Sequence, residues 1–381
     1  MSQLPGEMLM NPLRGLNGQG QAAWLDYILR DMLIDGRLSD LVREDGISGV
    51  TSNPAIFEQA IGGSAAYDEQ LSGLLVANPG QDLEVLYEEL AIRDIQAAAD
   101  VLRPVYDATD GADGFVSLEV SPHLAYETDT TIEAARDLWG RVGRPNLMIK
   151  VPASDEGIPA IEELIATGIN VNVTLMFSLA DYEVVAQAYI RGVRRNPDPS
   201  TVSSVASFFV SRVDSKVDAA LEAVGSDEAL ALRGKIAIAN SKLAYRRFEE
   251  LFHGATFDEP RAAGARVQRV LWASTSTKNP EYRDVMYVEE LIGDETVNTI
   301  PPATVESFRD HGVVESTLTR NVDEAVAQLE ALEAAGVDLA QLTLDLKREG
   351  IDAFVRPFDK LLATLGSKRE ALVGVGSVES A

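Results

Sequence analysis

Short apolar runs recur along the chain, and polar residues interrupt each one at alternate positions. Eight stand out: "AAWLDYI" near Asp26, "GISGVTSNP" ending near Asn53, "GFVSLEVSP" around Glu119, "NLMIKVP" at Lys150, "INVNVTLMF" around Asn172, "SSVASFFVSR" around Ser207, "RVLWAST" near Trp272 and "TVNTIPPAT" near Ile300. Their length and their bounding Gly, Pro and Asn residues predict β-strands. Helical periodicity fills the gaps at Leu83–Leu102, Thr131–Val142, Ile158–Ala166, Ala180–Arg194 and Asp227–Phe252. Strand alternating with helix predicts parallel βαβ units. Eight such units predict an α/β fold, a closed (β/α)8 TIM barrel. The gaps after the second and sixth runs are long and predict additional helices there. Val322–Ala335 and Leu339–Leu365 also read as helices, so the residues from about 320 form a C-terminal helical extension packed on the barrel. Residues 1–381 read as a single barrel domain, and the tail "GVGSVESA" reads as a frayed end.

The alternation within each run assigns faces, because residues i and i+2 of a strand point the same way. Lys150 shares a face with Met148, opposite Leu147, Ile149 and Val151. Glu119 goes with Ser117 and Phe115, opposite Val116, Leu118 and Val120. Asn170, Asn172 and Thr174 share a face, as do Ser207 and Phe209, and Asp26 and Trp24. In a barrel the apolar face meets the helices and the other face points inward. An unpaired polar group buried there costs about 1–3 kcal/mol. Barrel enzymes place such groups at the C-terminal mouth.

Lys150 is the residue this pattern makes conspicuous. It is the first lysine of the chain, set in a run of Leu, Met, Ile and Val. Lysine is rarely buried without a reason. Asp26, Asn53, Glu119, Lys150, Asn172, Thr174 and Ser207 all belong to the inward set. A neutral amine in an apolar surround attacks a carbonyl and forms a Schiff base, which then acts as an electron sink. Carbon–carbon cleavage beside it needs a group that removes and returns a proton, a task open to Asp26. Glu119 with Thr174 can hold a water for the dehydration steps, and Asn53 and Asn172 can hold substrate hydroxyls. The plainer alternatives stay open here. Lys150 is a solvated strand end or the partner of Glu119 in a structural ion pair, and Asn53 before Pro54 is a turn signal.

Charge adds a second candidate site. The net charge is −27, from 33 basic and 60 acidic residues, which disfavours nucleic acid and anionic membrane as partners. An anionic substrate then needs a local positive island. Arg212 after the sixth run, with Ser274 and Lys278 after the seventh, suits a phosphate group. Arg212 can equally pair with Asp214 or Asp218. There is no cysteine, which excludes disulfides and thiolate chemistry, and the three histidines lie far apart without ligand spacing, so no metal is expected. Hydrophobic residues make up 46% and aromatics 6%, so the predicted core is large and mostly aliphatic. No signal peptide and no membrane span is read, and a cytoplasmic protein is expected.

The ordered set "WLDYI", "GVTSNPAIF", "SLEVSP", "NLMIKVPAS", "GINVNVTLMFS", "SFFVSRVD" and "LWASTSTKNP" resembles the transaldolases, close to their longer bacterial subgroup. The resemblance runs from the first strand to the eighth. It implies a Schiff-base enzyme without cofactor or metal, acting on sugar phosphates as a monomer or homodimer. Such an enzyme moves a dihydroxyacetone unit from fructose 6-phosphate or sedoheptulose 7-phosphate to glyceraldehyde 3-phosphate or erythrose 4-phosphate. It places the Schiff-base lysine at Lys150, the acid–base aspartate at Asp26 and the water-positioning pair at Glu119 and Thr174. It places substrate contacts at Asn53, Asn172, Ser207, Phe209 and Arg212. The family's strand-seven arginine is replaced here by "STSTKN", so Ser274 and Lys278 would take its role. Two other functions compete: a simple aldolase releasing free dihydroxyacetone, and a non-catalytic sugar-phosphate-binding barrel.

Overall fold

All eight runs form strands, and they pair in sequence order as parallel neighbours. They are β1 Gln21–Leu25, β2 Ile47–Val50, β3 Val116–Glu119, β4 Leu147–Pro152, β5 Val171–Met176, β6 Ser204–Phe209, β7 Arg269–Ala273 and β8 Thr296–Ile300. β8 returns to pair with β1, which closes the barrel. The computed structural model describes residues 11–376, so the first part of the N-terminal segment and residues 377–381 of the predicted frayed tail lie outside the described residues. Residues 374–376 of that tail end a helix.

The strands are buried nearly throughout, so the short runs read as core because both faces are covered. Leu147, Ile149 and Val151 are fully buried beneath the helices. One contiguous apolar core runs from Leu13 to Leu365. The lower barrel is plugged by Trp24. Its ring packs on Phe115, its indole N–H donates to Asp113 Oδ1 at 2.8 Å, and Gly49 on β2 makes room for it. A Cβ on Gly49 would sit 2.4 Å from the indole.

The long gaps do hold extra helices. Pro54–Gly63, Asp68–Ala77 and Leu83–Ala108 lie between β2 and β3, and Ser211–Val224, Asp227–Leu230, Ile236–Phe252 and Asp258–Ala262 between β6 and β7. The single helix expected over Asp227–Phe252 is therefore two. The break is held by buried carboxylates of the preceding helix: Gly234 N–H donates to Asp218 Oδ1 and Ala237 N–H to Asp214 Oδ1. Gly234 takes the left-handed φ of 70° that this turn requires.

The C-terminal extension comprises Val322–Ala334 and a long last helix, Leu339–Gly376. The last helix does more than pack on the outside. Gly350 meets Leu175 and Phe177 at the end of β5, and Phe358 packs edge-on against Tyr87 at 5.4 Å. No helix among the described residues is long and apolar enough to cross a membrane.

Candidate active site

In-register pairing builds the centre of the site. Glu119 and Lys150 are direct partners across β3 and β4, and Lys150 and Asn172 across β4 and β5. All three face inward, so pairing alone brings them together. Lys150 Nζ lies 3.2 Å from Glu119 Oε2 and donates to the Ser52 carbonyl at 3.2 Å. Both side chains are almost fully buried, at 7% and 3% exposed. The amine thus meets a carboxylate, the Glu119 contact that the strand sequence left open as one alternative. Neither Glu119 oxygen accepts a hydrogen bond with good angles, and Thr174 Oγ1 has no protein partner.

Asp26 lies one residue beyond β1 and is anchored from the next strand. Its backbone N–H donates to the Ile300 carbonyl at 2.9 Å, and Thr51 Oγ1 donates to Asp26 Oδ1 at 2.7 Å. Burial pushes the Asp26 carboxyl above its ordinary range, against the pull of Lys150, the Thr51 hydroxyl, Arg212 and Lys278. Burial likewise raises Glu119, with Lys150 pulling it down.

Asn53 is placed by a helix cap and not by strand alternation. It is the N-cap of the Pro54–Gly63 helix, and its Oδ1 accepts from Ile56 N–H at 3.0 Å. The turn reading holds, and the capping residue also lines the cavity at the mouth of the barrel.

Lys150, Asp26, Asn53, Thr174, Ser207, Phe209, Arg212, Ser274 and Lys278 line one cavity of about 220 Å³ at the C-terminal mouth. Glu119 and Asn172 lie one layer below it. Asn172 is fully buried, with its Nδ2 donating to Ser117 Oγ at 2.9 Å and its Oδ1 accepting from Ser207 Oγ at 2.7 Å. Both ends of that amide are hydrogen-bonded inside the barrel, and its Oδ1 orients Ser207.

Arg212, Ser274 and Lys278 come together in the cavity wall. Arg212 pairs with neither Asp214 nor Asp218, whose second oxygens accept from Tyr287 and Tyr282. Its guanidinium lies 5.3 Å from the centre of the Phe209 ring, and its charge faces Asp26. Lys278 donates to Ser276 Oγ at 2.7 Å. Burial lowers the pKa of both cations, and for Lys278 the neighbouring Arg212 lowers it further. Among the described residues neither makes an ion pair with a carboxylate. Two cations left beside each other in a half-buried wall suit a dianion.

The family model described as transaldolase/fructose-6-phosphate aldolase matches residues 23–365. A transaldolase of Thiobacillus denitrificans is 47% identical over 361 residues, covering 94% of this chain and all of the relative. One from Thermobifida fusca is 48% identical, covering 92% and 96%. One from a Parafrankia strain is 49% identical, covering 94% and 98%. The chain belongs to the transaldolase/fructose-6-phosphate aldolase family.

It is an enzyme of that family, and its cavity is also lined by residues that the motifs did not single out. Thr51, Ser276 and Thr299 line it, and Thr51 Oγ1 also lies 2.6 Å from Thr299 Oγ1. Thr51 and Thr299 belong to runs already read as strands and Ser276 follows the seventh run directly, so hydroxyl content at strand ends was the available signal. Phe354 also lines the cavity, 5.2 Å from Lys150 Nζ. It comes from the last helix, and no local pattern announces it. Ser274 takes a left-handed φ of 58° and its Oγ lies 2.9 Å from Ser211 Oγ, which ties the β7 loop to the helix carrying Arg212.

Proposed function

We propose that this chain is a transaldolase that transfers a dihydroxyacetone unit from a ketose phosphate to an aldose phosphate through a Schiff base on Lys150. The observation that carries the proposal is the composition of one small cavity. It holds a buried amine, a buried carboxyl and two unpaired cations. Glu119, raised by burial, takes the proton of Lys150 at 3.2 Å and frees the amine. The amine attacks C2 of the ketose, and loss of one water gives the Schiff base. Glu119 and Thr174 hold the water of these steps. Asp26 takes the proton of the C4 hydroxyl, and the C3–C4 electrons pass to the Schiff base. An aldose phosphate leaves. An acceptor aldehyde then undergoes the reverse sequence. Arg212 and Lys278, with Ser274 and Ser276, hold the phosphate, and Asn53 and Ser207 hold hydroxyls. Fructose 6-phosphate or sedoheptulose 7-phosphate is the donor, and erythrose 4-phosphate or glyceraldehyde 3-phosphate the acceptor, as in the non-oxidative pentose phosphate pathway. The shared core supports one barrel domain for the chain. We infer that it acts on these substrates in the cytoplasm, as a monomer or homodimer.

Borohydride reduction in the presence of fructose 6-phosphate tests the reading. A reduced adduct mapped to Lys150 is expected, and its absence would sink the Schiff-base mechanism in favour of a sugar-phosphate-binding barrel. Lys150→Arg removes turnover, because arginine stays charged. Product formed only when an acceptor aldose is present separates the transaldolase from an aldolase.

A further inference from the structure

We propose that Phe354 is a positioning residue that decides the fate of the bound three-carbon unit: it covers Lys150, holds water off the adduct and so favours transfer over release. The proposal rests on the Schiff-base reading above.

Most of the cavity wall is charge and hydroxyls, and its other apolar residues, Phe209, Ala273 and Pro301, come from the barrel itself. An apolar ring 5.2 Å from the reactive amine has no hydrogen bond to offer a sugar. What it offers is exclusion of water and a π-face toward a cation. The ring is 6% exposed, and it arrives from outside the eight βα units.

The fold takes particular care over its placement. One turn before Phe354, Gly350 lets the last helix touch the end of β5, where a Cβ would come within 2.9 Å of Leu175 Cδ2. One turn after it, Phe358 is wedged against Tyr87. Ion pairs then fasten the same helix to four others around the mouth: Lys347 to Asp181, Glu349 to Lys216, Lys360 to Glu58 at 2.9 Å and Lys368 to Asp68 at 2.8 Å. A helix held on both sides of Phe354 keeps the ring over the amine.

The chemistry shows why that matters. After the donor is cleaved, the three-carbon unit remains on Lys150 as an enamine. In transfer, the enamine carbon attacks the acceptor aldehyde, and the acceptor oxygen takes the proton that Asp26 holds. In release, that proton goes to the enamine carbon. Water then adds to C2 of the resulting iminium, the C–N bond breaks, Lys150 recovers its amine and dihydroxyacetone departs. Release consumes the equivalent of the water lost when the Schiff base formed. Transfer consumes the same water, but only after the new carbon–carbon bond has formed, when the product Schiff base is hydrolysed to free Lys150. A ring that keeps water from C2 while the three-carbon unit alone is bound therefore slows release and leaves time for the acceptor to arrive.

The test is a ratio. Dihydroxyacetone release is measured with fructose 6-phosphate alone, and transfer with erythrose 4-phosphate added. Phe354→Ala should raise release relative to transfer by about tenfold or more, and Phe354→Leu should restore most of the wild-type ratio. Lys347→Ala, which loosens the helix outside the cavity, should raise it by a smaller factor. Borohydride should still reduce an adduct on Lys150 in Phe354→Ala. An unchanged ratio with the adduct intact would overturn the role of Phe354 and leave the Schiff base standing. So would equal losses of both activities, the signature of packing alone. Failure to trap an adduct in the unaltered protein would overturn the underlying mechanism.

Discussion

Lys150 Nζ and Glu119 Oε2 face each other at 3.2 Å because β3 and β4 are paired in register at these two residues. A slip of one residue would turn one of them toward the helices. The pair is therefore as firmly set as the barrel. A buried ion pair adds little to stability once desolvation is counted. Its proximity has a chemical use, since a carboxylate raised by burial can accept the proton that makes the amine a nucleophile.

Glu119→Gln keeps the volume and removes that acceptor. We expect kcat to fall by about 100-fold or more, with KM for fructose 6-phosphate changed by less than about threefold. Steady-state kinetics checks this. A rise in KM with kcat intact would show that Glu119 serves binding only.

Asp26 must be ionised to take the C4 hydroxyl proton, and burial raises its pKa. Activity should therefore fade, as pH drops, at a higher pH than an ordinary aspartate would set. In Asp26→Asn, kcat should drop by about 100-fold or more, and that acidic limb should disappear from the residual rate. The adduct on Lys150 should still form. A limb unchanged in Asp26→Asn would assign the titration to another group.

Arg212 and Lys278 should act on phosphate and on nothing else. Arg212→Ala or Lys278→Ala should raise KM for fructose 6-phosphate by roughly 10- to 100-fold, the worth of a charge-assisted hydrogen bond. The effect should shrink for unphosphorylated fructose. Equal losses on both sugars would place these cations in the structure of the loop.

Asp214 should shape the pH dependence of stability. Burial pushes its carboxyl up to about 7, from an ordinary value of 3.8. Between these values the folded protein holds a proton that the unfolded chain has lost. This contribution is complete below the ordinary value and declines as pH rises through about 7. Asp214→Asn should flatten that decline, which Tm measured across the interval reads out. An unchanged slope would count against the raised carboxyl.

Gly49 should tolerate no side chain. The Cβ of Gly49→Ala would meet the Trp24 indole at 2.4 Å. We expect a loss of about 1–3 kcal/mol in denaturant unfolding. Trp24→Phe in the same protein should recover part of it. A neutral Gly49→Ala would mean that the lower barrel is looser than its packing.

The inward residues within strands were legible because a period of two leaves only one face for the helices. Lys150, Glu119, Ser207 and Thr174 follow from that period. Asn53 was found for a different reason than its position has, since a helix cap and not alternation aims it. Asn172 was found on the correct face, but its depth and its partners were not legible. Alternation gives direction and carries no information about height in the barrel, or about which neighbours, here Ser117 and Ser207, will use the amide. The break at Gly234 was not legible, because the carboxylates that cause it lie on another helix.

By itself the sequence determined the eight strands, their closure, the inward face of each and the presence of a positive island, because these depend on periodicity and local chemistry. The tertiary structure alone decided how deep each inward group lies, that Arg212 stays clear of Asp214 and Asp218, and that Phe354 stands beside Lys150. Those facts depend on where distant segments meet, and packing between segments leaves no periodic trace in either one.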